Sequence, residues 1–191
     1  MNKEKITTIY KLTDKNLQTS NAFQWEIGKW YKTSGKGELC GDGWLHAYHS
    51  PDLAILLNPS HADIEEKTMR LFRAEGRGKS LDDKGLKVGF SQMRIVEEID
   101  KPKWTTTQRV AFGLLCAMEV CKNEAWRKWA QDWLSGKDRM EAAAIAVEAA
   151  AEGTNQTLDF TDICARARMV SEADASAVFP AGRWPFVFGE P

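Results

Sequence analysis

Apolar residues in the first hundred positions recur mainly at every second position, which is the period of a β-strand. This pattern predicts a first strand over Ile6 to Leu12. It also predicts a strand in which Phe23, Trp25 and Ile27 share one face. Three further strands are predicted, one over Leu39 to Tyr48, one that begins with Met69, Leu71 and Phe72, and one over Leu86 to Ile99.

A short helix and a loop are predicted between these strands. Ser50 is a suitable N-cap and is followed by Pro51, a residue favoured at the first position of a helix. The helix is predicted to end before Asn58, which precedes a second proline. The segment from Gly76 to Gly85 is charged and interrupted by glycines, which predicts a solvated loop.

The period of the apolar residues changes to that of an α-helix after Pro102. Thr105 is the predicted N-cap of the first helix in this part of the chain. The next helix places Trp126, Trp129 and Trp133 on one face, where such a stripe usually belongs to a core. Two further helices are predicted, from Asp138 to Glu152 and from Thr161 to about Val170.

This order of elements predicts the α+β class, because strands come first and helices follow. The strand-rich part, residues 1–103, is expected to hold an antiparallel or mixed sheet with one short helix. Residues 104–191 are expected to form a helical bundle that ends in an aromatic tail. Whether these two parts are separate domains stays open at this point.

Composition narrows the class of protein. The chain has 191 residues, of which 43% are hydrophobic and 28% charged, as in folded proteins. The net charge of −1 gives no bulk attraction to nucleic acid, so no direct nucleic-acid binding is expected. The four cysteines form no CxxC pair, and no apolar run reaches the length of a membrane span. We therefore expect a cytoplasmic protein that does not bind a membrane.

No complete catalytic or metal-binding constellation emerges from the sequence. Cys40, His46, His49 and His61 are spaced unlike the ligands of a closed zinc site, so no metal is expected. Gly78 begins a Gly-Lys-Ser triplet, but the earlier glycine of a phosphate-binding loop is absent. We expect no catalytic residues and no cofactor, although an enzymatic activity stays open.

The segment from Ala22 to Pro59 resembles an uncharacterised domain family of phages and prophages. The resemblance covers roughly residues 6–99 and is carried by two motifs. The first is an aromatic-x-aromatic-x-apolar-Gly segment, here Phe23 to Gly28, followed by Tyr31. The second is a Leu-Cys-x-x-Gly-aromatic-His stretch, here Leu39 to His46 with one extra residue. Tyr48 stands where many members carry a second cysteine.

This resemblance implies a viral, anti-defence protein that acts in the host cytoplasm. The function expected from it is an inhibitor that binds and blocks a bacterial anti-phage defence component, such as a CRISPR effector complex. An anti-CRISPR role of this kind requires an interface, and Trp and Tyr often anchor interfaces. The residues expected to contact the partner are Trp25, Trp30, Tyr31 and Trp184.

A second resemblance implies a different class of function. The segment from Gly43 to Ala54 is similar to the strand and helix of ADP-ribosyltransferase-like folds, in which an aromatic residue packs on nicotinamide. The alternative function is therefore a domain that binds or processes NAD or a nucleotide immune signal. The residues expected to contact such a nucleotide ligand are Trp44, His46, Tyr48 and His49.

Overall fold

The computed structural model describes residues 5–62, 64–137 and 157–170. The chain divides into two compact units, Met1–Lys103 and Trp104–Pro191. The first unit contains an antiparallel sheet and the second contains helices, which confirms the predicted α+β class. The helix predicted from Asp138 to Glu152 and the aromatic tail lie outside the described residues.

The first unit is built on a sheet whose strands all pair in antiparallel fashion. Its strands are β1 (Thr7–Thr13), β4 (Tyr31–Lys32), β5 (Leu45–Ala47), β6 (Arg70–Asp82) and β7 (Val88–Ile99), while β2 (Gln18–Thr19) and β3 (Phe23–Gln24) pair separately. The sheet order is β1-β6-β7-β4, and β5 also pairs with β7. Tyr10 and Tyr48 then exchange two backbone hydrogen bonds of 2.8 and 2.9 Å. The pairings therefore run from β1 through β6, β7 and β5 back to β1.

The long hairpin of β6 and β7 corrects the prediction of a loop from Gly76 to Gly85. β6 continues to Asp82, and only a short turn separates it from β7. Gly78 has a φ of +80° and lies at a register shift within the strand, so it does not end the strand. The Ser91 hydroxyl accepts a 2.9 Å hydrogen bond from the Lys79 amide at this shift. Pairing with β7 thus outweighs the local preference for a loop.

A cluster of buried side chains packs together in the first unit, and we call it the sheet core. Its members come from several strands and from Trp25, which lies after β3, and they are Ile9, Trp25, Leu45, Ala47, Phe72, Ala74, Val88, Phe90, Met93 and Ile95. Gly76 also belongs to this side of the sheet, where a Cβ atom would come within 2.5 Å of the Phe90 ring. The absence of a side chain at Gly76 therefore makes room for that ring.

A lysine lies against this apolar cluster. Lys11 donates a 2.6 Å hydrogen bond from Nζ to the backbone carbonyl of His46, and its ammonium lies 5.4 Å from the centroid of the Trp25 ring. Burial lowers the pKa of the Lys11 amine from 10.5 to about 8, because the charged form loses hydration. Lys11 thus connects β1 to β5 beside the Tyr10–Tyr48 bridge.

The short helix after β5 confirms the predicted capping signal. Helix α1 (Pro51–Leu56) begins after Ser50, whose hydroxyl accepts a 3.2 Å hydrogen bond from the Leu53 amide. Helix α2 (Asn58–His61) follows at once. The Asn58 side chain is buried, and it bonds to the amide and the carbonyl of Ile64 at 3.1 and 2.7 Å. These bonds hold the segment after α2 in place.

The second unit contains three described helices, α3 (Thr106–Val120), α4 (Glu124–Leu134) and α5 (Phe160–Met169). Thr105 forms a capping box with Gln108, as predicted for an N-cap. Trp133 is buried, whereas Trp126 and Trp129 are half-buried with ring centroids 6.2 Å apart. No helix within the described ranges is long and apolar enough to span a membrane.

Candidate functional site

On the side of the sheet opposite the sheet core, polar side chains form a surface that we call the outer face, whereas Leu12 and Leu71 on the same side are buried. Strand register sets its composition, because side chains directly opposite each other on paired strands share a face. Three rows cross the strands, and their members are Lys32, Gln92 and Arg77; Arg94 and Glu75; and Glu97, Arg73 and Tyr10. A tryptophan, Trp30, packs at the boundary between the first two rows.

Trp30 stacks with two arginines of the outer face. The Arg77 guanidinium lies 4.0 Å from the ring centroid, and the Arg94 guanidinium lies 4.9 Å from it. The Arg77 Nε also donates a 3.0 Å hydrogen bond to the Gln92 Oε1. Trp30, Arg77 and Arg94 are all half-buried, so part of each side chain remains in contact with solvent. Cation–π contacts of this kind hold guanidinium groups in a fixed orientation.

Two carboxylates neutralise part of the outer face. Glu97 accepts a 2.6 Å hydrogen bond from the Arg73 Nε, and this bond is the main reason why the pKa of Arg73 is raised. Glu75 accepts a 2.8 Å hydrogen bond from the Arg94 Nε, and its carboxylate lies 2.7 Å from the Arg94 Nη2 and 3.8 Å from the Arg73 Nη1.

Sequence reasoning missed most of the outer face. Arg73, Glu75 and Arg77 alternate with Phe72, Ala74 and Gly76, which is the period-two signal of a strand with one polar side. The predicted loop from Gly76 onwards concealed that alternation. A continuous strand prediction over this segment would have placed these charged side chains on one surface.

The residues predicted to contact a protein partner fall into different environments. Trp30 belongs to the outer face, as described above. Trp25 is only 1% exposed and packs in the sheet core, so it offers no surface to a partner in this conformation. Phe23, Trp25 and Tyr31 form a triangle of edge-on rings with centroids 5.1 Å apart, and Tyr31 is half-buried. Trp184 lies outside the described residues.

The exposure of Ile27 corrects the prediction that Phe23, Trp25 and Ile27 share one apolar face of a strand. The strand ends at Gln24, and Gly28 adopts a φ of +83° in the turn that follows. The Ile27 side chain is 54% exposed as a result. The turn thus directs Trp25 and Ile27 into opposite environments.

Two of the residues predicted to contact a nucleotide are buried. Trp44 is 6% exposed and donates a 3.0 Å hydrogen bond from Nε1 to the carbonyl of Gly37. Tyr48 is 7% exposed, and its hydroxyl lies 3.4 Å from the His61 Nδ1, with the two rings stacked. Burial raises the pKa of the Tyr48 phenol far above its ordinary value. These side chains pack within the fold.

The histidines predicted for the same ligand site also have partners within the chain. The His46 Nε2 contacts the carbonyl of Leu39, and burial is the main cause that lowers the pKa of the His46 ring. The exposed His49 contacts the Asp82 carboxylate. Over residues 5–62, 64–137 and 157–170, no three His, Cys, Asp or Glu side chains group as metal ligands.

Residues 7–106 match a protein family described as a domain of unknown function, DUF7666. The match covers the whole described sheet and ends at the first residue of α3. No curated protein and no solved structure matches the chain at a significant level.

Proposed function

We propose, from the premise that this chain belongs to the DUF7666 family, that it is a phage-encoded protein-binding inhibitor. It binds and blocks a component of a bacterial anti-phage defence system, such as a CRISPR effector complex. The phage setting comes from the motifs in the segment from Ala22 to Pro59. The proposal assigns the binding surface to the outer face.

The observation that carries this proposal is the composition of the outer face. Trp30 and Tyr10 lie there with Arg73, Arg77 and Arg94, and all five side chains are half-buried. Trp, Tyr and Arg are the residue types most enriched among the energetically dominant positions of protein interfaces. Their mutual contacts also fix the side chains before binding, which reduces the entropy lost on association.

The alternative function, binding or processing of NAD or a nucleotide signal, has weaker support. That function requires a cleft in which Trp44, His46 and Tyr48 can reach a ligand. Trp44 and Tyr48 are buried, and all three rings contact other groups of the chain. A filled site of this kind favours the binding-protein proposal.

A phage-protection assay tests the proposed function. The gene is expressed in bacterial strains that each carry one defence system, and the plating efficiency of a sensitive phage is measured in every strain. We expect growth of the phage to be rescued in at least one strain. Absence of rescue across a broad panel would contradict the proposal and would give priority to calorimetric titration with NAD and cyclic nucleotides.

Two matched variants test whether the rescue of phage growth depends on the outer face. Trp30→Ala removes the aromatic group of the outer face and should abolish rescue. Trp126→Ala removes a half-buried tryptophan from α4 and should leave rescue unchanged. Equal loss in both variants, at equal protein levels, would show that the outer face has no special part in the activity.

A further inference from the structure

We propose that Cys40 and Lys87 are a peroxide-responsive pair, in which oxidation of the Cys40 thiol leads to a covalent bond between the Cys40 Sγ and the Lys87 Nζ. The oxidant is hydrogen peroxide. This modification site is independent of the proposed inhibitor function, because neither residue belongs to the three rows of the outer face.

The two side chains are in direct contact, although they are 47 positions apart in the sequence. The Lys87 Nζ lies 3.1 Å from the Cys40 Sγ and donates a hydrogen bond to it. Within the described residues, no carboxylate forms an ion pair with Lys87. The Lys87 amine is therefore directed at the sulfur atom.

Backbone contacts hold both residues in position. The carbonyl of Leu39, the residue before Cys40, contacts the His46 ring. Lys87 directly precedes β7, and its carbonyl accepts a 2.9 Å hydrogen bond from the Asp83 amide. Because both main-chain segments are fixed in this way, the nitrogen and sulfur atoms are kept close together in the folded protein.

Exposure distinguishes Cys40 from the other cysteines. Cys40 is exposed, whereas Cys116 and Cys164 are buried and Cys121 is half-buried. Oxidation by a small molecule follows access to the sulfur, so Cys40 is the thiol that peroxide reaches first. Cys40 is also the only cysteine among residues 1–103. No second thiol of this unit can therefore react with an oxidised Cys40, and the Lys87 amine is the nucleophile in contact with it.

The bond forms in two balanced steps. The Cys40 Sγ first attacks one oxygen of hydrogen peroxide, so that an S–O bond forms, the O–O bond breaks and water leaves. Sulfur loses two electrons, which the peroxide gains, and the product is a sulfenic acid. The neutral Lys87 amine then attacks the Sγ, so that an S–N bond forms and the S–O bond breaks. The departing hydroxide takes a proton from the nitrogen and leaves as a second water.

The product is a sulfenamide, the same kind of bond that a backbone nitrogen forms with a sulfenic acid. Two equivalents of a thiol reductant reverse it by attack at the sulfur. The bond ties Cys40 to the start of β7 and closes a long loop of chain, which reduces the entropy of the unfolded state. Oxidised protein should therefore have a higher midpoint of thermal unfolding than reduced protein.

Mass spectrometry of the full-length protein tests this modification. The reduced protein is treated with a small excess of hydrogen peroxide, its remaining thiols are alkylated, and it is digested with trypsin without reductant. We expect a linked peptide pair that contains Cys40 and Lys87 and has the summed mass of the two peptides less two hydrogens. Trypsin should not cleave after Lys87 in this product, and dithiothreitol should remove the product.

Matched variants identify the reacting amine. Lys87→Arg keeps the positive charge but removes the amine, so the linked peptide and the rise in thermal midpoint should both be lost. Lys79→Arg makes the same change at an exposed position of β6 and should leave both unchanged. Circular dichroism confirms that each variant is folded. Sulfinic acid or an intermolecular disulfide at Cys40 in place of the link, or an equal yield of link in Lys87→Arg, would overturn the proposal.

Discussion

The two sides of the β6–β7 hairpin are made by neighbouring residues but serve different purposes. On one side, Phe72 and Ala74 are fully buried in the sheet core. On the other side, Arg73 and Glu75 retain contact with solvent and form ion pairs. Because successive side chains of a strand point in opposite directions, one segment can stabilise the fold and still present a charged surface. Changes on the two sides should therefore have very different consequences.

The largest effect is expected from truncation of a side chain in the sheet core. Phe72→Ala removes a ring that is fully buried, and the loss of burial and the resulting cavity should lower the free energy of unfolding by about 3–5 kcal/mol. Urea denaturation followed by tryptophan fluorescence measures this change. Thr8→Ala, at an exposed position of β1, is the control and should change it by less than about 0.5 kcal/mol. Similar effects of the two variants would remove the distinction between the two sides.

Lys11 is a charged residue on the apolar side of the sheet, and its titration gives a further test of the difference between the two sides. The folded protein releases the Lys11 proton at about pH 8, whereas the unfolded chain releases it near the ordinary value of 10.5. The unfolded state binds more protons between these values, so this group makes the free energy of unfolding rise with pH across that window. The rise is at most about 3 kcal/mol, since one pKa unit corresponds to about 1.4 kcal/mol.

The Lys11→Met variant isolates this contribution. The informative quantity is the difference in unfolding free energy between the two proteins at each pH, because contributions from all other groups are common to both. We expect the unchanged protein to gain stability relative to Lys11→Met between pH 8 and 10.5. A difference that is independent of pH would mean that the Lys11 amine is hydrated in the folded protein.

A smaller destabilisation is expected from filling the space at Gly76. The Cβ atom of Gly76→Ala would lie 2.5 Å from the Phe90 ring, so the ring must move. Overpacking of this kind costs about 1–3 kcal/mol, and thermal denaturation should show a lower midpoint. A second variant, Gly76→Ala with Phe90→Leu, removes the clash and should lose less than the sum of the single changes. Strict additivity would contradict the proposed contact.

The smallest effect is expected from an ion pair of the outer face. Arg73 and Glu97 are joined by a 2.6 Å hydrogen bond, but the Glu97 side chain is 57% exposed, so water screens their attraction. A double-mutant cycle with Arg73→Ala and Glu97→Ala should give a coupling energy no larger than the error of the measurement. A coupling well above this value would mean that the outer face also holds the fold together.

Local signals in the sequence located several elements of the fold correctly. Ser50 and Pro51 marked the start of α1, and Thr105 marked the start of α3, because capping depends on atoms within a few residues of each other. The strand pattern located β1 and β7, although the predicted strand from Leu39 to Tyr48 is reduced to β5 and the Tyr48 bridge. These local elements were sufficient to predict the α+β class.

Much less of the candidate site than of the fold could be predicted from the sequence. Trp30 was named for its residue type, but its stacking on Arg77 and Arg94 depends on the pairing of β6 with β7 and on the position of β4 beside them. Trp25 has the same residue type and lies in the sheet core. Residue type alone therefore cannot separate an aromatic residue of the core from one that lies on a surface.

The sequence by itself determined β1, β7 and the starts of α1 and α3, because hydrophobic period and capping act over a few residues. The tertiary structure decided which charged side chains share a surface. Arg77 and Gln92 are adjacent only because β6 and β7 pair in one register, which shifts after this pair, at Gly78. Displacement of the register by one residue would exchange the two sides of the sheet. Burial of the whole sheet core supplies the free energy that prevents this exchange. No single segment forms that core by itself, because its members come from several strands.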